Sequence, residues 1–323
     1  MGLVLALLLA GSPDAGAPPP SALAEIQRLA KKLEPTVKAP WVKQWLRAAQ
    51  ELPPVTPRTF WCTKDKAACW ATKPAGETRE LVERTVDDAY FYARITDPLG
   101  YARAFELLAA AGFSPKGQKI LDLGYGNIGQ LAMLARLGAD VHGIEVDPLL
   151  PLAYGKAVGP VIARDGTKGK LSVHHGYFAK DPKLVAEVGS GYALFISKNT
   201  LKRGYVHPSQ PVPEKQRIDV GTDEQFLKVV HDLLAPRGLF LIYNLSPAPA
   251  KPGEPYKQMA EGECPYSREQ LERAGFEVLA LDAVDDAAAR AMGKTLEWDQ
   301  APESPWDLES DLFSHYTLAR RKR

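Results

Sequence analysis

At 323 residues, with 40 basic against 39 acidic side chains and a formal charge of +1, the chain is long enough to bury a full core, and its bulk charge argues against nucleic-acid binding. No apolar run approaches the length that spans a bilayer. Three cysteines without clustered histidines leave no expected metal site.

The chain opens on an apolar run, Leu3 to Ala10, of signal-peptide character, with Ala15, Gly16 and Ala17 forming a cleavage-like site. No Lys or Arg precedes the run and Pro18 follows it, so residues 1–20 read as a signal-like or a disordered segment. Localisation therefore divides between the cytoplasm and an exported or periplasmic setting. Residues 21–112 read as a helical extension. Its first helices are split around Pro35 and Pro40, with Leu23, Ile26, Leu29 and Leu33 on one face, and two more are expected between Glu77 and Phe113. Tyr90, Phe91 and Tyr92 read as core or as a cover over a ligand. Cys62 and Cys69 close a short disulfide if the protein is exported, or are two buried thiols; Cys264 is left over.

The centre of the chain is Lys119 to Pro148. Ile120, Leu121 and Leu123 form a buried strand, broken by Gly124 and Gly126, where a Cβ would keep backbone amides from a nucleotide-like ligand. Ile128, Leu131, Ala132, Leu134, Ala135 and Leu137 follow at helical spacing, and Val141 to Val146 is the next strand. Glu145 stands about 20 residues past the first glycine, where an acid meets ribose hydroxyls. Gly124, Gly126 and Gly129 match the GxGxxG dinucleotide fingerprint, which makes an NAD-dependent oxidoreductase one reading. Asp122, two residues before the first glycine, points elsewhere: the stretch resembles motif I of the class I methyltransferases that use S-adenosylmethionine (SAM), with Ile128 where that family often has a further glycine.

Beyond the motif, Pro148 to Val158 reads as a helix, Lys170 to His175 as a third strand and Tyr192 to Ser197 as a fourth. At the end of the third strand Tyr177 or Phe178 is placed to stack on an adenine. Lys198 to His207 is the most chemically loaded segment, and Lys198, Asn199, Lys202, Arg203, Tyr205 and His207 suit an anionic substrate, a base or a solvated turn. After a proline-rich loop to Gly221, Asp223 opens a helix and Leu239 to Leu245 is a fifth strand. The phrase Leu234, Ala235, Pro236, Arg237, Gly238 resembles the helix-to-strand turn of the same methyltransferases, as do Ala274, Gly275 and Phe276 before a sixth strand and the arginine-ended seventh at His315 to Arg320. The acid often found near the start of the fourth strand is replaced by Ala193, and the Asn/Asp-Pro-Pro-aromatic motif is absent.

The resemblance covers residues 113–323 and implies a Rossmann-like α/β fold: a doubly wound, mostly parallel, seven-stranded sheet with the last strand antiparallel. It implies SAM as cofactor, with Asp122, Gly124 and Gly126 around its methionine end and Glu145 on the ribose. The expected function is methyl transfer to an acceptor the sequence does not identify, with His175, Tyr205 and His207 as candidates for base or substrate contact. A third reading is a non-catalytic exported protein on a degenerate methyltransferase fold, because SAM and NAD are held in the cytoplasm.

Overall fold

The computed structural model describes residues 21–94, 97–155, 157–300 and 305–323, so the signal-like segment lies outside the described residues. Helix α1 (Ala22–Leu33) starts where the Ser21 hydroxyl accepts from Ala24 N, and it buries Leu23, Ile26, Leu29 and Leu33 on one face. Helix α2 (Pro40–Ala48) starts on proline, whose fixed φ suits a first helical position. Its Trp45 is fully buried, edge-on to Phe105 at 4.8 Å between ring centroids.

The extension is not wholly helical. β1 (Arg58–Thr63), β2 (Cys69–Trp70) and β3 (Leu81–Val86) form an antiparallel sheet in the order β2-β1-β3. This corrects the expectation of a helix starting near Glu77: the β-branched residues Val82, Thr85 and Val86 pair across to β1. Of the two readings of Cys62 and Cys69, the structure shows the disulfide, joining directly opposed residues of β1 and β2. α3 (Asp88–Ala93) and α4 (Ala102–Ala110) complete the extension. Phe91 and Tyr92 are core residues, the Tyr92 hydroxyl donating to Pro53 O.

The main sheet begins with β4 (Lys119–Leu123), which runs through the glycine turn into α5 (Gly129–Arg136) and back into β5 (Asp140–Glu145). Then come α6 (Leu149–Tyr154), β6 (Gly159–Ile162), β7 (Lys168–His175), α7 (Pro182–Val188), β8 (Tyr192–Lys198) and the single turn α8 (Arg203–Val206). α9 (Asp223–Leu233) opens with a capping box between Thr222 and Gln225, and β9 (Leu234–Ser246) follows it directly. α10 (Arg268–Arg273), β10 (Phe276–Val284), α11 (Asp286–Thr295), α12 (Leu308–Asp311) and β11 (Phe313–Arg321) close the chain.

Strand order is β10-β11-β9-β8-β4-β5-β7-β6, with β7, β5, β4, β8 and β9 parallel and β11 antiparallel to both neighbours. This is the doubly wound α/β fold expected, with helices on both faces. The count is eight rather than seven, because β6 adds an antiparallel edge strand against β7. From β4 the chain winds outward through β5 to β7, then returns to β8 on the other side, so a crevice opens beyond the carboxyl ends of β4 and β8. One apolar cluster runs from α1 and α2 through α5 to β4, which seats the extension against the glycine-turn side of the sheet. Each fully buried Leu or Phe in it contributes about 1.5–3 kcal/mol. The basic tail is partly structural: Arg320 pairs with Glu277 at 3.6 Å and Arg321 donates to Leu234 O.

Candidate active site

At the crevice the β4–α5 turn is shaped by two left-handed glycines, Gly124 at φ +74° and Gly126 at φ +65°. Gln130, buried in the first turn of α5, ties it down: its Nε2 donates to Tyr125 O at 2.7 Å and to Asp122 Oδ2 at 3.5 Å. The turn is closely covered, since a Cβ on Gly124 would sit 2.0 Å from Thr200 Oγ1.

Asp122 is 1% exposed, and its Oδ1 has no hydrogen-bond partner. Burial pushes its carboxyl up to about 7, against the opposing effects of the Tyr101 hydroxyl, Gln130 and the Lys198 ammonium. Beneath it, Asp97 is likewise pushed up by burial while accepting from Leu99 N and from Trp298 Nε1 at 3.2 Å. Lys198, at the end of β8, has its ammonium 5.2 Å from the Tyr101 ring centroid. Burial holds it down to about 8, with Asp97 and Asp122 pulling the other way. The result is a buried cluster of two acids and one lysine, reached from the extension, β4, β8 and the Trp298 segment. Glu145, at the end of β5, accepts from Val146 N at 2.8 Å and Gly126 N at 3.3 Å, which holds its carboxylate against the turn.

Two lobes meet over this turn, and Gly124, Glu145, Asn199, Thr200 and Tyr205 line both. The outer lobe, about 1230 Å³, lies against Ile144, Val146, His175, Gly176, Tyr177 and the 214–220 loop. The inner lobe, about 640 Å³, lies against Arg94, Tyr101, Lys198, Lys202, Trp298 and Trp306. Arg94 is paired with Asp147 at 2.8 Å.

The structure therefore brings Gly124, Gly126 and Glu145 to the lobe walls, where Tyr205 joins them, whereas Asp122 lies buried behind the turn and lines neither lobe. His175 lies in the outer lobe, exposed, with Nε2 2.9 Å from Val146 O. His207 lines neither lobe; its Nε2 is 2.8 Å from Asp223 Oδ1. The reason is the turn of α8, which points Tyr205 inward and carries His207 toward the start of α9. Phe178 is core, tilted against Phe195 and edge-on to Phe226, whereas Tyr177 is 65% exposed in the outer lobe. The sequence reading missed Arg94, Asp97, Tyr101, Trp298 and Trp306. They come from segments far from the glycine turn, and no local pattern marks them.

The sheet defines a doubly wound α/β protein with a crevice beyond the carboxyl ends of β4 and β8. Comparison with solved structures gives likenesses in the same class. Phosphoethanolamine N-methyltransferase 2 from Haemonchus contortus is 12% identical over 75% of this chain and 63% of its own, at a TM-score of 0.44. The [4+2]-cyclase SpnF is 14% identical over 92% and 96%, at 0.42. The magnesium protoporphyrin IX methyltransferase of Synechocystis PCC 6803, solved with bound SAM, is 16% identical over 70% and 79%, at 0.35. At these scores the likenesses carry no argument of their own; the fold stands on the strand order and crossovers above. No protein-family model matches the chain, and a search of curated proteins finds no match.

Proposed function

We propose that the protein binds SAM across the two lobes and transfers its methyl group to an acceptor held in the inner one. The observation that carries this reading is Asp122: a buried carboxyl with an unpartnered oxygen, at the carboxyl end of the central strand and directly behind the left-handed Gly124–Gly126 turn that lines the inner lobe. Such an oxygen suits an ammonium donor, as on the amino-acid end of SAM, and repels a pyrophosphate. This disfavours NAD despite the fingerprint. Glu145, held by two backbone amides, has acceptor sites left for ribose hydroxyls, and the outer lobe beyond it has room for an adenine beside Tyr177.

The residues present fit the cofactor, which would supply a methyl already electrophilic on sulfur. The protein's share is positional. Asp122, Gly124 and Gly126 hold the amino-acid end, Glu145 fixes the ribose, and the inner-lobe walls hold the acceptor in line while keeping water out. Tyr205, lining both lobes, stands where the two ligands meet and orients the accepting atom.

The test is calorimetric titration of the full chain with SAM, S-adenosylhomocysteine and NAD in parallel. The reading expects micromolar affinity for the first two, about 8 kcal/mol, and none for NAD. Asp122→Ala should weaken SAM severely; binding of NAD alone overturns the assignment. A second reading, a non-catalytic exported protein on this fold, is favoured by the Cys62–Cys69 disulfide, a bond that persists in oxidising compartments. It predicts that neither SAM nor S-adenosylhomocysteine binds, and that mass spectrometry finds the mature chain starting near Pro18.

A further inference from the structure

The inner lobe holds a buried lysine that its own protein leaves without an acid. Lys202 is 4% exposed, and its ammonium donates to Leu245 O at 2.5 Å and to Met259 O at 3.5 Å. Among the described residues its hydrogen-bond partners are carbonyls rather than a carboxylate, and the charge that acts on it is that of Lys198, of the same sign. Lys198 is different: it has Asp97 and Asp122 as counter-charges. The acids lining the lobe are engaged or distant from its floor. Glu145 is held by amides, Asp147 is paired with Arg94, and Asp311 sits exposed at the mouth. Beside the lysine, Ser246 also lines the lobe, with its buried and unpartnered Oγ packed against Gly262. The walls are aromatic: Tyr205, whose ring centroid is 5.7 Å from the Lys202 ammonium, and Trp298 edge-on to Trp306 at 5.9 Å.

We propose that the inner lobe takes a small, planar, aromatic acid as methyl acceptor, its carboxylate seated on Lys202 and its ring between Tyr205 and the Trp298–Trp306 pair. This deepens the methyl-transfer reading and rests on it. A buried cation without a partner is unfavourable until an anion arrives, whereas an anion that brings its own flat apolar body gains both the ion pair and the aromatic contact. Burial and the neighbouring Lys198 hold Lys202 down to about 7, so above that pH the empty site carries a neutral amine. Its two N–H bonds then go to the Leu245 and Met259 carbonyls. Arrival of a carboxylate favours the ammonium, so binding takes up a proton.

The experiment titrates the full chain at pH 8 with 4-hydroxybenzoate and with its uncharged isostere 4-hydroxybenzamide, in two buffers of different ionisation enthalpy, with SAM titrated alongside. The expected result is at least tenfold preference for the acid, with uptake of about 0.9 proton per site for a group moved from about 7 to well above 8. In Lys202→Met the acid should weaken at least tenfold and the uptake vanish, with the amide and SAM unchanged. If K202M does not fold, as judged by its melting transition, Lys202→Gln keeps donors to the two carbonyls and takes its place. Equal binding of acid and amide, an unchanged acid affinity in the variant, or no binding of either probe overturns the proposal. Loss of SAM affinity in the variant also overturns it, because Lys202 would then hold the cofactor's own carboxylate. Lysine-dependent acid binding without any SAM binding leaves the anion site standing and removes the methyl-transfer reading instead.

Discussion

Replacing Asp122 with asparagine should make the ligand-free protein gain stability relative to the wild type as pH rises, while impairing the site. The native carboxyl titrates near 7 against an ordinary 3.8, so between those values the folded chain keeps a proton that the unfolded chain has lost. With fewer protons bound in the unfolded state, stability falls as pH rises through this window. At pH 5 the penalty is roughly 1.6 kcal/mol and at pH 8 roughly 4 kcal/mol, from about 1.4 kcal/mol per pH unit. The neutral amide of the variant carries no such penalty but deprives Lys198 of one counter-charge, a loss that shifts the absolute difference between the proteins. The observable is therefore the change in that difference. Urea unfolding at pH 5 and pH 8 should show D122N gaining on the wild type by about 2.5 kcal/mol between the two, with an unchanged m value. SAM affinity at pH 8 should fall ten- to a hundredfold for loss of one charge-assisted hydrogen bond. A stability difference that stays constant or shrinks with rising pH would refute the account of Asp122 as a strained buried acid.

His142 acts in nearly the same window with the opposite sign. Burial pushes it down to about 4, with Asp140 beside it, His174 stacked at 5.3 Å and backed by Glu187, and Lys119 of β4 and Tyr192 of β8 nearby. Its contribution is lost as pH falls from about 6.5 to 4, because the unfolded state then binds the extra proton; His142→Gln should lower acid sensitivity in a pH series of melting curves. Gly124→Ala should cost about 2–4 kcal/mol, from a left-handed φ and the overlap with Thr200, and Thr200→Gly in the same chain should restore the overlap part, read by urea unfolding. Replacing Arg237, exposed at φ +66° within the irregular first residues of β9, by Gly should stabilise the protein by up to about 1 kcal/mol, seen as a raised melting temperature with unchanged ligand binding.

The parts of the fold legible in the sequence were those written locally. The glycine turn after Leu123, the helix from Gly129 and the acid at Glu145 lie within one stretch, and strand and helix periods are short-range signals. Gly159–Ile162 was not legible, since four residues beginning Gly-Pro carry little strand signal and form a strand only by pairing at an edge. Leu81–Val86 misled for the reverse reason: two charges break its alternation, and β1 supplies what propensity does not. The inner lobe was legible only along the glycine turn, at Glu145 and along the 198–205 segment. Its other walls depend on contacts such as Trp298 to Asp97, 201 residues apart, which no window along the chain contains.

Strand β11 lies between β9 and β10, both of which precede it in the chain. Until residues 313–321 have been synthesised, β9 and β10 face each other across a gap, each with an unpaired backbone edge. The sheet therefore cannot be finished by adding strands in the order the ribosome makes them. Left unattended in a crowded compartment, the same open slot is a template for a strand from another molecule.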